Sequence, residues 1–459
     1  MTALIFAAAS AAQDPRAASP FSGSVRQGAA TPGELPLSLE DTITRGLKNN
    51  LAALEDFQDR RAAEGARLRV RADLLPNLTA GLTETSQQIN LKAFGFSSFP
   101  GFPVIVGPFG LTDARAMLKQ TILNFESLND ARAETQNVKA ARLTYQNTRD
   151  LVVLIVGDMY LDAVASQSRV ELARAQYETD RALYRQAVDY KQNGLVPAIS
   201  VLRAKVEMEG QEQRVIFYEN DFAKKKLALA RAIGLPQEQK IRFTDALPKT
   251  PVPPADLQTL LDLAYKGRSD YQSAVAKVQS GEASRKAALA ERYPTVDFNA
   301  NYGAIGPTLA NSHGTYTATV GLSVPIFQGG RTRGDLLEVD AQLEKRKAEL
   351  EELRGRIEYQ VRAALLDIQA SARQVEVTAD ARDLAGQQLG QARDRFKAGV
   401  TDNLEVVQAQ QAVAAADENY VGSLLAFSRA KGDLVLGIGG AEKLFRDFVL
   451  GKSISPGKN

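Results

Sequence analysis

Cysteine and tryptophan are absent from the 459-residue chain, and there is a single histidine, His313. Without cysteine there is no disulfide framework, no thiolate metal site and no thiol nucleophile, and a lipid anchor on an N-terminal cysteine is not expected. One histidine without histidine or cysteine neighbours leaves nothing from which to build an imidazole metal site. A large excess of charge of either sign is also missing. The formal net charge is +2, so bulk attraction to nucleic acid is not implied. No stretch approaches the roughly 20 apolar residues of a membrane helix. If the protein crosses a membrane, strands must do it.

The first residues read as the remnant of an export signal. Leu4 to Ala9 is a short apolar run, and Ala9-Ser10-Ala11 or Ser10-Ala11-Ala12 suits a signal peptidase, although only Met1 and Thr2 stand where a basic segment belongs. We expect a signal remnant over 1–12 and a flexible lead-in over 13–36, rich in Ala, Ser, Gly, Pro and Gln.

The chain is an internal duplication. Sliding it by 205 positions puts Leu161-Asp162 on Leu366-Asp367, Val170-Glu171 on Val375-Glu376, Gly194 on Gly399 and Gly234 on Gly439. Towards the N-terminus the shift changes, and Leu75-Pro76-Asn77-Leu78 meets Tyr293-Pro294-Thr295-Val296. The period far exceeds that of solenoid repeats, so two large equivalent halves are implied. We expect a first repeat over 37–234, a linker or equatorial segment over 235–256 with five prolines, a second repeat over 257–439 and a tail over 440–459.

Each half shows the same order. A helix, Leu39 to Arg71 or Leu257 to Arg292, stops before Pro76 or Pro294. A strand follows, about 77–89 or 295–303. Val296, Phe298, Ala300 and Tyr302 alternate with Thr295, Asp297, Asn299 and Asn301. After a loop (Asn90 to Gly110, or Gly303 to Gly314) comes a second strand, about 113–123 or 315–326. Then proline-free helical runs cover Phe125 to Gln192 and Arg331 to Lys397, each roughly 100 Å long at 1.5 Å per residue. Turns at Gly194 and Gly399 lead into return helices, Ile199 to Ile233 and Leu404 to Leu436. Apolar or small residues recur at heptad-like spacing along Ile357, Val361, Ala364, Ile368, Ala372, Val375 and Ala379, while the seam of the first return helix reads Ile199, Leu202, Val206, Glu209, Gln213, Ile216, Asn220, Ala223 and Leu227, whose polar interruptions suit a helix that partly faces water.

Four strands cannot close a membrane barrel, since the smallest outer-membrane barrels have eight. An open edge cannot sit in lipid, where every backbone polar group needs a partner. Several chains must therefore pool their strands, with apolar faces to lipid and Thr/Asn/Ser faces to water. The expected fold is mainly α with transmembrane β: duplicated long helical hairpins plus four strands per chain.

In this setting Leu322-Ser323-Val324-Pro325-Ile326-Phe327-Gln328-Gly329-Gly330-Arg331, Arg395-Phe396-Lys397-Ala398-Gly399, Leu404-Glu405-Val406-Val407-Gln408-Ala409-Gln410 and Ala230-Arg231-Ala232-Ile233-Gly234-Leu235-Pro236 resemble the TolC-like outer-membrane efflux proteins. The likeness runs from about Leu37 to Gly439. It implies a homotrimer with a twelve-stranded β-barrel and a periplasmic α-barrel. It also implies passive conduction for an efflux pump or a type I secretion system, without cofactor or catalysis. The implied partners are a periplasmic adaptor and an inner-membrane transporter of RND, ABC or MFS type.

The resemblance also assigns residues. Gly194, Leu195 and Val196, with Gly399, Val400 and Thr401, fall at the adaptor-docking tips. The closed constriction, where such proteins carry acidic rings, falls on Glu405 and Gln408, with Asp402 nearby and Ser200 and Arg203 at the equivalent tip of the first half. Only Glu405 keeps the acid. Phe396 and Thr401 stand where some members carry a tyrosine and an arginine that link the closed gate, so the closing network differs. Phe94, Phe96, Phe99, Phe102 and Phe109 make the first external loop aromatic, and His313 is expected in the second. A periplasmic coiled-coil adaptor or scaffold would explain the helices but not the paired strands. No nucleophile–base pair suggests an enzyme.

Overall fold

The computed structural model describes residues 20–95, 103–248, 256–400 and 403–449. The signal remnant over 1–12 lies outside them, as do Phe96, Phe99, Phe102, Thr401 and Asp402. The chain forms two compact units. The first gathers Met1–Gln58, Leu143–Gln272 and Glu352–Asn459; the second gathers Asp59–Arg142 and Ser273–Glu351.

The order of elements is β1 (Glu34–Leu37), α1 (Leu39–Asn49), α2 (Leu51–Ala72), β2 (Asn77–Asn90), β3 (Ile105–Leu123), α3 (Phe125–Gln192), α4 (Ala198–Ile233), β4 (Lys240–Phe243), α5 (Leu257–Gly267), α6 (Ser269–Ala290), β5 (Thr295–Gly306), β6 (His313–Ser323), α7 (Arg331–Lys397), α8 (Asn403–Ile438) and α9 (Ala441–Val449). Short 3-10 turns stand at 20–22, 91–94 and 309–311.

The duplication extends to the caps. Ser38 opens α1 with a capping box, its Oγ accepting from the backbone of Asp41 at 3.1 Å. At the equivalent position Asp256 opens α5, accepting from Thr259 N–H at 3.2 Å. The first helix of each repeat, expected to run unbroken, is interrupted after one short segment. Asn50 and Arg268 adopt extended backbone, with ψ of 135° and 118°, and a second helix starts one residue later. Gly234 and Gly439, with φ of +78° and +85°, end the return helices α4 and α8 at equivalent places.

The first unit holds the main core. Val152, Val153 and Val156 of α3, Leu229 and Ile233 of α4, Ile357 and Val361 of α7 and Val435 of α8 are all buried, together with Leu37 of β1. β1 and β4 pair in parallel, Leu37 opposite Phe243. Residues 441–449, expected within a C-terminal tail or equatorial region, form the helix α9. Asp150 Oδ1 accepts from the backbone N–H of Glu442 at its start (2.7 Å), and Arg149 grips the Glu442 carboxylate through Nε (2.7 Å) and Nη2 (2.5 Å). Phe445 is fully buried, and a Cβ on Gly157 would meet its ring at 2.4 Å. An 18-residue window of α3 is, by length and composition, apolar enough to cross a membrane, against our expectation. That window is 61% buried inside the protein, as befits a core helix.

The two seams differ from each other. Ile357, Val361, Ala364 and Ile368 are buried as a seam should be, but on α4 the buried lower face is Ser200, Ala204 and Gln211. Ile199, Leu202, Val206, Ile216 and Leu227 are 47–68% exposed. The stripe is real in the sequence but faces outward in a single chain.

In the second unit, β2-β3-β5-β6 form one antiparallel four-stranded sheet. β3 starts at Ile105, well inside the segment read as loop, while β6 ends at Ser323, short of Pro325 and its missing N–H. His313 is the first residue of β6, opposite Ile305, and not part of the loop. Phe109 lies on β3 opposite Gln87, while Phe94 is 70% exposed in the turn before it.

Candidate functional site

The sheet makes a wall with two unlike faces. Residues directly opposite one another point to the same side, so the register shows which side chains share a face. Leu78 pairs with Leu118, which pairs with Ala300, which pairs with Ala318. One step along, Ala80, Ala116, Tyr302 and Tyr316 form the next row. Phe298 opposite Val320 and Val296 opposite Leu322 continue this face. Several of its large side chains stand clear of the protein: Leu78 is 72% exposed, Tyr302 73% and Tyr316 77%, while Leu118, Val296 and Phe298 are half-buried.

The opposite face carries Thr79, Met117, Asn301 and Thr317 in one row, and Asn77, Lys119, Asn299 and Thr319 in the next. Thr121 Oγ1 donates to Asp297 Oδ1 at 3.0 Å, and Arg115 pairs with Asp113. An apolar face that no protein covers, backed by a polar one, is the pattern of a sheet between lipid and water. β2 and β6 are the sheet's outer strands, and among the described residues each leaves one backbone edge without a strand partner.

The two hairpin turns are copies of one geometry. At the end of α3, Leu195 N–H donates to Tyr190 C=O (2.8 Å) and Gly194 N–H to Lys191 C=O (3.0 Å). At the end of α7, Val400 N–H donates to Arg395 C=O and Gly399 N–H to Phe396 C=O, both at 3.0 Å. Both glycines have φ of +72°, the left-handed conformation this helix ending requires. The motif leaves Leu195 and Val400 68% and 69% exposed, while Val196 is half-buried.

Glu405 accepts from Arg395 Nη1 of its own hairpin at 3.0 Å. Gln408 and Arg203 are exposed, and Ser200 is buried on α4. Phe396 meets Tyr190 of the other hairpin with ring centroids 6.2 Å apart. Near it Leu389, Ala392, Val406 and Ala409 make a small core of their own, with Leu183 packed against it.

Above that core lies a link that sequence reasoning missed. Asp180 of α3 is 2% exposed and its Oδ1 accepts from Gln410 Nε2 of α8, itself 2% exposed, and from Gln176 Nε2 at 3.0 Å. The signal was present: Ala173, Asp180 and Ala187 are spaced by heptads and all three are buried, so the aspartate occupies a seam position.

The family model for the outer membrane efflux protein matches residues 43–235 and 260–440, once for each repeat. The chain belongs to the outer membrane efflux protein family. It is an outer-membrane exit duct of a transport family, with a helical extension in the periplasm. It is similar to the pyoverdine export outer membrane protein OpmQ of Pseudomonas putida, 23% identical over 66% of this chain and 65% of the relative. It is also similar to the toluene efflux pump outer membrane protein TtgC of Pseudomonas putida, 22% identical over 82% of this chain and 73% of the relative. The aligned part thus spans slightly less than two thirds of OpmQ. Among solved structures, the outer membrane protein VceC of Vibrio cholerae shares the fold with a TM-score of 0.74 at 18% identity, over 88% of this chain and 96% of that one.

Proposed function

We propose that three copies of the chain pool their strands into one twelve-stranded barrel. The resulting channel passes substrate outward, without catalysis or cofactor, from a periplasmic adaptor and an inner-membrane transporter. The observation that carries this reading is the sheet with one bare apolar face and two unpaired edges. Unpaired edges are not tolerated in hydrocarbon, and an exposed apolar face is not left to water. The outward stripe on α4 supports the same assembly independently, as do Leu366, Val377 and Leu384, which are 63–67% exposed on α7. Relatives named for pyoverdine export, toluene efflux and alkaline protease secretion span small-molecule and protein cargo.

The tips at Gly194, Leu195 and Val196 and at Gly399, Val400 and Thr401 are the docking points for the adaptor, supported by the bare apolar side chains of Leu195 and Val400. Glu405, one from each chain, forms the acidic ring of the constriction, with Gln408, Asp402, Ser200 and Arg203 around it; Arg395 holds each carboxylate in place. Outer-membrane fractions should show a heat-modifiable oligomer that high salt does not extract. Complete release by salt would overturn the duct. Glu405→Ala should raise single-channel conductance or relieve cation block, and no change in either would remove the ring from that position.

A further inference from the structure

Within the first unit, the buried carboxylate of Asp180 stands between the two hairpins. It lies 14 residues before Gly194 on α3 and faces Gln410, 11 residues after Gly399 on α8. At 1.5 Å per residue that is roughly 15–20 Å along the helices from either turn. The two amide donors, Gln176 and Gln410, both serve Oδ1. Oδ2 is also buried and has no hydrogen-bond partner. No cation is in ion-pair contact with either oxygen among the described residues. The charged groups that act on Asp180 are Glu207 and Arg214 from α4 and Arg393 from α7; α8 presents the neutral amide of Gln410. Glu207 itself is held by Gln411 of α8, which donates to it at 2.9 Å.

A carboxylate desolvated on one oxygen, beside another carboxylate, is an expensive anion and an inexpensive acid. Burial, and then Glu207, push Asp180 up to about 7, against the pull of Gln176, Arg214 and Arg393. Any movement that parts the hairpins near their tips must break the contact between Asp180 and Gln410 and admit water.

We propose that Asp180 is a proton-operated latch between the two hairpins: protonated, it holds α3 against α8, and loss of the proton lets them part. The latch rests on the reading of the chain as a duct, and it couples opening of the periplasmic end to proton release.

The direction follows from linkage. With the hairpins together Asp180 keeps its proton up to about pH 7; with them apart it titrates as an ordinary hydrated carboxylate, near 4. Between those limits the closed form binds more protons. Its advantage is therefore greatest on the acid side, falls as pH rises through that window and levels off above about pH 7. The ratio of open to closed changes by at most about tenfold per pH unit per protomer.

Single-channel recording of the full-length protein in planar bilayers from pH 5 to 8 tests this. The native channel should be closed in acid, open progressively up to about pH 7 and then level off. Asp180→Asn should abolish that dependence and remain in the low-conductance state throughout. Glu207→Gln, which removes the like charge, should shift the midpoint towards acid. An Asp180→Asn channel with the native pH profile overturns the latch and leaves the duct intact, whereas protein that never conducts overturns the duct reading itself. Infrared difference spectra of the detergent-solubilised native protein supply a readout independent of conduction. A protonated-carboxyl component that disappears near pH 7 and is lost from Asp180→Asn, leaving only that of Asp158, which burial also pushes up to about 7, supports the latch. A band that disappears wholly near pH 4 overturns it.

Discussion

At the first junction between helices the chain stops at Asn50; 218 positions later, at the equivalent place in the second repeat, it stops at Arg268. Both side chains reach the end of the return helix of their own repeat. Asn50 Nδ2 donates to Phe21 C=O (2.6 Å) and Ala232 C=O (3.3 Å), while its Oδ1 accepts from Ala52 N–H (3.1 Å). Arg268 Nη1 donates to Gly437 C=O (3.4 Å) and Gln360 Oε1 (2.8 Å), and its other nitrogens hold Asp270 at 2.7 and 3.0 Å. Ala232 and Gly437 are themselves 205 positions apart, the shift that relates the return helices. One backbone problem, the unsatisfied carbonyls at a helix end, is thus met by a neutral amide in one repeat and by a buried ion pair in the other. The duplication conserves the demand for a donor and leaves its chemistry free.

Removing the charged donor should do the most damage. Arg268→Ala leaves Asp270 without its cation in a largely desolvated place, and a loss of about 3–5 kcal/mol is expected, measured by denaturant unfolding of detergent-solubilised protein at fixed concentration. Asn50→Ala deletes neutral hydrogen bonds only, so about 2–3 kcal/mol should be lost in the same assay. Equal losses would mean that the ion pair adds nothing beyond its hydrogen bonds. Where the repeats do not differ, they should respond alike. A Cβ on either tip glycine, Gly194 or Gly399, meets nothing within 4 Å. Alanine at each should therefore cost only the left-handed strain of about 1–2 kcal/mol, by the same amount at both tips.

The smallest effect needs no mutation. Burial by itself would raise Asp270, but Arg268 and the backbone N–H of Tyr271 outweigh it and hold the carboxyl below its usual range. Its contribution is present above the ordinary carboxylate range and is lost as pH falls through the lowered value. Amide hydrogen exchange followed into acid should show the Arg268 junction loosening on that side, while the Asn50 junction, which has no titrating group, stays unchanged.

How much of this was legible depended on whether one chain completes the environment. Period-two alternation over 295–303 and the proline-free runs gave strands and long helices, because local sterics decide both. The breaks at Asn50 and Arg268 were hidden, since each is stabilised in part by a carbonyl of the return helix, 182 and 169 residues away in sequence. On α4 the polar interruptions of the seam pointed to a helix that partly faces water, and the exposed stripe agrees; periodicity identifies a stripe and not which neighbour covers it. Glu405 was picked out by resemblance and proved to be paired with Arg395 in its own hairpin. Asp180 was passed over because a single acidic residue in a long charged helix looks solvated until its heptad neighbours are counted.

The register of the sheet carries a constraint on how this chain can change over evolutionary time. Every row across β2, β3, β5 and β6 alternates between the two faces, so inserting or deleting one residue within a strand would exchange the faces for everything beyond it. Changes of two residues keep parity. A β-bulge such as the irregularities in register at Gln87/Ile89 and Thr121/Leu123 absorbs an odd one. The strands can therefore lengthen only in even steps or at a bulge, while the loops between them can grow by any number. Homologous chains aligned along this sheet should differ in strand length by even counts, and each odd gap should coincide with a bulge.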